Sequence, residues 1–555
     1  MKKFIYKVSL LTCFLALASC DKDLENINVD PNKPTEVRTP GLFNGTSRDL
    51  MVRTRGAFPS GRMALPWVQY SSQRNYTAED RYQYREGVNN SLYRDIYLAV
   101  KGYKEIIDIV ENPLNKAKIA AWGDPKNQIA AARIMIAYAQ LQAVDNYGDV
   151  PYYSYGTKDP DFEAMTLTTG NEITTPKFAP QEKIYRDLMK ELKEASEMIN
   201  LNAGNVFAEG DNLFRTPLKL KRFANSLRLK IATRVKGVTE LSVEAQKHIA
   251  EAIQSGVMEG NADSVIQFFQ NDKINPAPMY SSAFIDNRND FAITNTFVEL
   301  LKGEEHKAGT NPFKAIGQTD PRLFKMAAPV KNVYKGESVN VRFYVNPLDP
   351  SFPSIELANY SETDASGYTG FPIGIKDGVT ASQRGVSSQF SANIYLANAG
   401  EVIMEYAEVA FLLSEVKGWD DAEYKKGVTA SMQRWNVPNA DITSYVGKLP
   451  AANEQTVRTQ KYIALFMQPN EAWAEYRRTG FPKTLLLPGE NHKLNKKGPN
   501  DETEYTFEVF NGLTDLPERF NYPTDMNLIN KTNKDAAAQR MGGDKMDTKL
   551  IWAKK

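Results

Sequence analysis

Apolar positions recur at intervals of three and four through much of the chain. Leu92, Ile96, Ala99, Tyr103, Ile106 and Val110 form one such stripe, closed by Pro113. Ile129, Ala132, Ile136, Ala139, Ala143 and Val144 form a second, with Gly148 placed as its C-cap. This spacing keeps one face of a 3.6-residue helix apolar, so each stripe predicts an amphipathic helix. A second couple follows: Ile184, Leu188, Leu192, Ala195 and Ile199, entered through Pro180, and then Leu220, Phe223, Ala224, Leu227, Ile231 and Val235. The third runs Ile403, Tyr406, Val409, Ala410, Leu413 and Val416, and after Gly418 continues with Tyr424, Val428, Met432 and Trp435. The fourth joins Val457, Gln460, Ala464 and Met467 to Ala472–Thr479, capped by Gly480. A further helix is expected near Leu42 to Arg55. Helix, break, helix thus recurs, and such pairs bury their faces only by stacking on one another. The fold class expected is mainly α: degenerate tetratricopeptide-like helical pairs forming an α-solenoid scaffold. The strict 34-residue signature of that repeat is absent.

Elsewhere the helical period is lost. From 257 to 400 Gly, Pro, Asn and Tyr accumulate, and Val339–Val345 has the alternation of a short strand, with loops such as Asn359 to Gly374 around it. This reads as a loop-rich, irregular insert, the kind of segment that carries binding residues on a rigid frame. A second aperiodic stretch lies ahead of the first pair. There Trp67, Tyr70, Tyr76, Arg81, Tyr82 and Tyr84 are interleaved with Gln and Asn. Aromatic faces stack on sugar rings or peptide side chains, and amides and guanidinium groups orient them by hydrogen bonds. These six are candidate ligand-binding residues, with Asn287, Arg288, Tyr368 and Phe371 of the insert as a second set; half-buried packing is the alternative duty for all of them.

The first twenty residues have a different character. Lys2, Lys3 and Lys7 precede an apolar run from Val8 to Ala18, ending in Leu17-Ala18-Ser19-Cys20. A basic start and a run too short to span a bilayer mark an export signal, and the triplet before Cys20 is that of a lipobox. Cys20 is therefore the expected lipidation site, an ordinary signal with a chance cysteine being the alternative. The organisation expected is a signal peptide at 1–19 and a polar, proline-marked tether at 20–40. An N-terminal helical scaffold follows at 41–256, then the insert at 257–400, the last two pairs at 401–482 and an irregular C-terminal segment at 483–555.

Composition narrows the chemistry. The only cysteines are Cys13, inside the signal, and Cys20, so disulfides, zinc–thiolate sites and thiol nucleophiles are excluded from the exported chain. Formal charge is +1, and loss of three signal lysines leaves the body slightly acidic, which excludes a nucleic-acid partner. The three histidines, His248, His306 and His492, are far apart and read as surface residues. No H-E-x-x-H, G-x-S-x-G or phosphate-cradling glycine loop is present. The acidic group Asn500, Asp501, Glu502 and Glu504 lacks EF-hand spacing and reads as a solvated turn. Neither metal nor cofactor is expected.

Seven strings occur in order: LASC at the lipobox, VDPNKPT in the tether, NYGDVPY at 146–152, KRFANSLRLKIATR at 221–234, TDPRL at 319–323, EAWAEYRRTGFP at 471–482 and LPERFNYP at 516–523. Together they resemble the SusD/RagB family, and more narrowly the SusD-like nutrient-binding outer-membrane lipoproteins. The resemblance spans nearly the whole chain. It implies four tetratricopeptide-like pairs and an irregular second half. It also implies a non-enzymatic lipoprotein facing the cell exterior, which captures oligosaccharide or, in the RagB branch, peptide. Such proteins act as a lid over a TonB-dependent SusC-like transporter. The motif residues read as structural: Trp473, Tyr476, Arg477 and Arg478 suit packing and ion pairing. Two other readings are an interaction scaffold without a small ligand and a surface glycosidase, which needs only two carboxylates about 5–9.5 Å apart.

Overall fold

The computed structural model describes residues 37–166, 170, 172–286, 288, 290–330, 333–334, 337–338 and 364–553. The lipobox with Cys20, Asn287 and the strand expected at Val339–Val345 lie outside the described residues.

The first helix, α1 (Thr39–Arg55), opens with Pro40 in its first turn, where the missing N–H costs nothing, and lies against α2 (Glu86–Glu111). In α2 the predicted stripe Leu92, Ile96, Ala99, Tyr103 and Ile106 is buried, and the helix stops at Asn112, ahead of Pro113. Next, α3 (Pro125–Tyr147) is capped by Asp124, whose carboxylate accepts from Lys126 N at 2.9 Å. Its alanines let α2 and α4 (Gln181–Met198) close in from two sides, so almost every residue from Ala130 to Tyr147 is buried. The second pair is completed by α5 (Pro217–Val235), with Thr216 as N-cap, and α6 (Ser242–Ser255) packs on α5.

The segment 257–400 is less irregular than its composition suggests. It holds α7 (Asn295–Lys302), eight residues bounded by the Thr294 cap and by Gly303 in the left-handed conformation. That helix is too short for its period to show against the surrounding turns. Among the described residues ten short strands pair two by two, all antiparallel: β1 (Ser71–Gln73) with β3 (Phe291–Ile293), β2 (Val265–Phe268) with β8 (Gly400–Met404), β4 (Ala327–Ala328) with β7 (Gln389–Phe390), β5 (Val333–Tyr334) with β6 (Glu337–Ser338) and β9 (Asn491–Lys493) with β10 (Glu504–Thr506). The first two pairings tie the segment to the N-terminal aromatic stretch and to the third helical pair. Ile403, expected to begin that pair's first helix, belongs instead to β8.

The third pair is α8 (Tyr406–Val416) and α9 (Asp421–Arg434), followed by α10 (Asn439–Gly447). In the fourth, α11 (Glu454–Ala464) starts from a capping box between Asn453 and Thr456, and α12 (Pro469–Thr479) ends at Gly480 with φ 71° and ψ 17°. A last helix, α13 (Lys531–Met541), brings Met541 beneath Gly148, where an added Cβ would sit 2.3 Å from the thioether sulfur. The described residues are mainly helical, and their helices stack in tetratricopeptide-like fashion.

Between the pairs runs a buried ionic layer. Arg234 of α5 pairs with Asp145 of α3 and Glu471 of α12. Lys230 lies 3.0 Å from Glu408, Lys461 3.1 Å from Glu475, and Arg478 2.8 Å from both Glu415 and Glu475. Buried charges persist only when paired and hydrogen-bonded, so these contacts set how the pairs are stacked. The long motif strings of the sequence meet here, as packing residues.

Candidate functional site

Of the aromatic stretch after α1, half is core. Trp67 is buried against Trp473 and Phe520, with ring centroids 5.2 and 5.1 Å away. Tyr70 stacks on Tyr462 at 4.7 Å and donates to that residue's carbonyl at 2.5 Å. Tyr82 packs edge-on against Trp67 and Phe507. In the second set, Tyr368 is buried on Phe324, and Phe371 lies in a small satellite core with Ala292 and Ile375. These five side chains offer no face to a ligand: Trp67 and Tyr70 join the stretch to α12 and α11, while Tyr82, Tyr368 and Phe371 pack the irregular segments on one another. Tyr84 is half-buried, its hydroxyl donated to the Asn521 carbonyl at 3.1 Å.

The stretch surfaces at Tyr76, which is 55 % exposed. Its neighbours are pinned by carboxylates distant in sequence. Asn75 donates to Asp290 at 2.8 Å, and Thr77 donates from its backbone and hydroxyl to Asp377 at 2.7 and 2.8 Å. Asp377 opens the short helix Asp377–Gln383. Behind the loop, β1 is held by two buried carboxylates. Asp80 accepts from Ser72 Oγ and Gln73 N, both at 2.8 Å, and Glu79 accepts from Gln73 Nε2 at 3.0 Å and Arg85 Nε at 2.5 Å. Burial pushes the Asp80 carboxyl up to about 7. Such a shift is the mark of many catalytic acids, yet Asp80 is inaccessible and its oxygens are engaged by β1, so its role is structural.

Two more exposed rings flank Tyr76 through this network. On one side Asp290 faces Arg62 at 3.9 Å and Arg288 at 3.7 Å, and both guanidinium groups reach the ring of Phe58, at 4.9 and 5.9 Å from its centroid. Phe58 is 43 % exposed. On the other side Lys376, beside Asp377, pairs with Glu508 at 3.0 Å. The Glu508 carbonyl accepts from Arg81 Nε at 2.8 Å, and Arg81 lies 4.3 Å over Phe510, which is 58 % exposed. Phe58, Tyr76 and Phe510 are thus three exposed rings linked through one network of ion pairs and hydrogen bonds that includes Arg62, Arg81, Arg288 and carboxylates. Sequence reading found Tyr76, Arg81 and Arg288 but missed Phe58, Asp290 and Phe510. The available signal was an aromatic beside a turn former, Phe58-Pro59 and Phe510-Asn511-Gly512.

The histidines are not surface residues. His248 is buried, its Nδ1 accepting from Arg228 Nε at 2.7 Å, and burial with the Arg228 charge lowers its pKa to about 4. His306 and His492 converge on Glu299. The acidic turn 500–504 is exposed, with Asp501 paired to Lys497 at 2.8 Å.

The described residues thus form a helical scaffold of stacked pairs that carries irregular segments with exposed aromatic rings. The SusD-like family, described as starch-binding and associating with the outer membrane, matches residues 31–306 and 339–505, and the chain belongs to it. Among curated proteins none matches. Among solved structures, a chitin-binding protein superposes with a TM-score of 0.66 at 22% identity, covering 93% of this chain and 100% of that one. A chitin-binding SusD homologue from Flavobacterium johnsoniae gives 0.66 at 18% identity, over 93% and 99%. A SusD homologue from Bacteroides fragilis gives 0.66 at 19%, over 93% and 100%. Identities this low establish a shared fold. Among the described residues no helix is long and apolar enough to cross a membrane.

Proposed function

We propose that this protein is a lipid-anchored outer-membrane lipoprotein, held through Cys20, that binds an oligosaccharide and passes it to a TonB-dependent SusC-like transporter. The observation that carries the ligand assignment is the Phe58–Tyr76–Phe510 surface. Apolar faces of pyranose rings stack on exposed aromatic rings, and the guanidinium and carboxylate edges there match sugar hydroxyls as donors and acceptors. Membership of a family described as starch-binding, and the likeness in fold to chitin-binding proteins, point to the same class. Of the sequence candidates, Tyr76, Arg81 and Arg288 remain in the proposed site, joined by Phe58 and Phe510. Peptide is the alternative cargo. No step of bond cleavage is assigned to the face.

The test is calorimetric titration of the purified chain with malto-oligosaccharides, chito-oligosaccharides and a mixed peptide pool. Binding of either glycan, weakened by Tyr76→Ala and Phe58→Ala, supports the reading. Binding of peptide alone reassigns the cargo, and turnover of any glycan overthrows the non-catalytic role. A pull-down through the lipoprotein should bring down a large outer-membrane barrel. Its absence from a detergent-solubilised envelope favours a free-standing scaffold.

A further inference from the structure

Two of the three histidines meet at one place, although one precedes and the other follows the last two helical pairs. Glu299 projects from α7, and His306 follows the left-handed turn at Gly303 that ends that helix. His492 is the central residue of β9, and Glu490 immediately precedes that strand. The rings of His306 and His492 are 5.2 Å apart between centroids. His492 Nε2 lies 3.0 Å from Glu299 Oε2, and His306 Nδ1 lies 3.9 Å from the same oxygen. One ligand atom each from Glu299, His306 and His492 fall within 4.8 Å of one another.

The side chain of His306 is only 9 % exposed, and its buried Nε2 has no hydrogen-bond partner. Glu490 Oε2, at 3.9 Å, is beyond hydrogen-bond reach. Leaving a buried ring nitrogen unpaired costs about 1–3 kcal/mol, so native structures rarely do so without cause. Glu490 is itself held in place, by Lys307 at 2.5 Å and by the Leu487 N–H at 3.0 Å.

We propose that Glu299, His306 and His492 form a binding site for a divalent transition-metal ion, zinc by ligand chemistry. Two imidazoles and one carboxylate are the donor set that late first-row ions favour, whereas calcium and magnesium seek all-oxygen shells. Bonds of about 2.0–2.2 Å require ligand atoms roughly 3–3.5 Å apart, so the three side chains must draw together from their present spacing of up to 4.8 Å. Glu490 acts as the positioning residue: with Nδ1 of His306 on the ion, Nε2–H is the donor that its carboxylate would accept. His492 has the matching support in the Lys493 carbonyl, 3.2 Å from its Nδ1, which would accept the Nδ1–H once Nε2 is on the ion. Glu299 and Glu490 are each about a quarter exposed, which leaves a path for the ion from solvent. Bound there, the ion clamps the β9–β10 hairpin onto α7.

The experiment uses the full exported chain, stripped with a chelator and titrated with zinc ion alone. Calorimetry should read one equivalent bound, with a rise in Tm. His306→Gln and His492→Gln should each abolish binding, and His248→Gln should leave it intact. Glu490→Gln should keep the stoichiometry while weakening affinity about 10-fold, as for other outer-sphere carboxylates. Should either histidine variant fail to fold, cobalt(II) added to the wild-type chain provides an independent reading. Intense visible bands of a four- or five-coordinate ion support the site, and their absence overturns it. Sub-stoichiometric zinc, or zinc binding that survives in folded His306→Gln and His492→Gln, also overturns it.

Discussion

Arg477 Nη1 donates a hydrogen bond at 2.8 Å to the main-chain carbonyl of Asp145, 332 positions earlier in the chain. The same nitrogen donates at 2.9 Å to the carbonyl of Glu518, and the guanidinium carbon lies 3.6 Å from the ring centroid of Trp473. One buried side chain thereby fastens the end of α3 and the C-terminal segment to α12. The carboxylates go instead to Arg234 and Arg478, and burial pushes Arg477 down to about 10. The strings that stand out in the sequence are thus a device for holding helical pairs and tail together, beneath the face that we propose meets the ligand.

Arg477→Ala should therefore cost stability without touching a ligand. Two carbonyls are left without donors in a dry site, at about 1–3 kcal/mol each, and the ring contact is lost as well. A total of about 3–5 kcal/mol is expected, read as a lower midpoint in urea denaturation followed by circular dichroism. Arg477→Lys keeps a charge but not the planar fork, so it should recover only part of the loss. A midpoint unchanged in the alanine variant would remove Arg477 from this role.

The helical pairs were legible because burial on one face writes a period into the sequence, as Leu92 to Ile106 in α2 shows. The face was legible only in part, because turns leave no period. In the string from Trp67 to Tyr84 every aromatic looks alike, yet Gln69 and Tyr82 have φ of 56° and 64° and reverse the chain twice. Around these turns Trp67, Tyr70 and Tyr82 are buried and Tyr76 is exposed. What pins Tyr76 outward is Asp290 and Asp377, whose relation to Asn75 and Thr77 exists only after folding. The meeting of His306 with His492 was hidden for the same reason.

Tyr76 and Tyr82 consequently make a matched pair of variants. Tyr76→Ala should lower oligosaccharide affinity about 2–12-fold, the worth of about 0.5–1.5 kcal/mol for one aromatic contact, with an unchanged melting temperature. Tyr82→Ala should do the reverse, opening a cavity between Trp67 and Phe507 at a cost of about 3–5 kcal/mol. Titration calorimetry beside a thermal melt separates the two, and equal effects on affinity would count against the face.

Gly61 tests the link between scaffold and face. A Cβ built there would lie 2.7 Å from the Phe291 ring, which the β1–β3 pairing holds opposite Gln73. Gly61→Ala forces that ring and its strand to shift, at about 1–3 kcal/mol. Because Asp290 adjoins Phe291 and holds Asn75, affinity should fall together with stability. Amide exchange at Ser72 and Gln73 should quicken. A variant with slower or equal exchange there would show that the ring accommodates the methyl freely.

The acid limb of stability should carry a contribution from His248. Its pKa is lowered from 6.5 to about 4 by burial first and then by the Arg228 charge. Glu244, Glu251, Lys193 and Lys247 also face it, with Glu251 opposing the shift. In the unfolded chain the ring takes up its proton near 6.5, whereas in the fold it does so only near 4. Between those values the unfolded state binds more protons, so stability is fully present above pH 6.5, falls as pH drops through the window, and levels off below it. His248→Gln has no proton to take up and should show a shallower slope from pH 6.5 to 4, running parallel to the wild type at higher pH. Urea midpoints measured at half-unit pH steps provide the comparison. Two curves that stay parallel from pH 4 to 8 would mean that His248 titrates alike in both states, and the hydrogen bond from Arg228 would then have no energetic consequence for the ring.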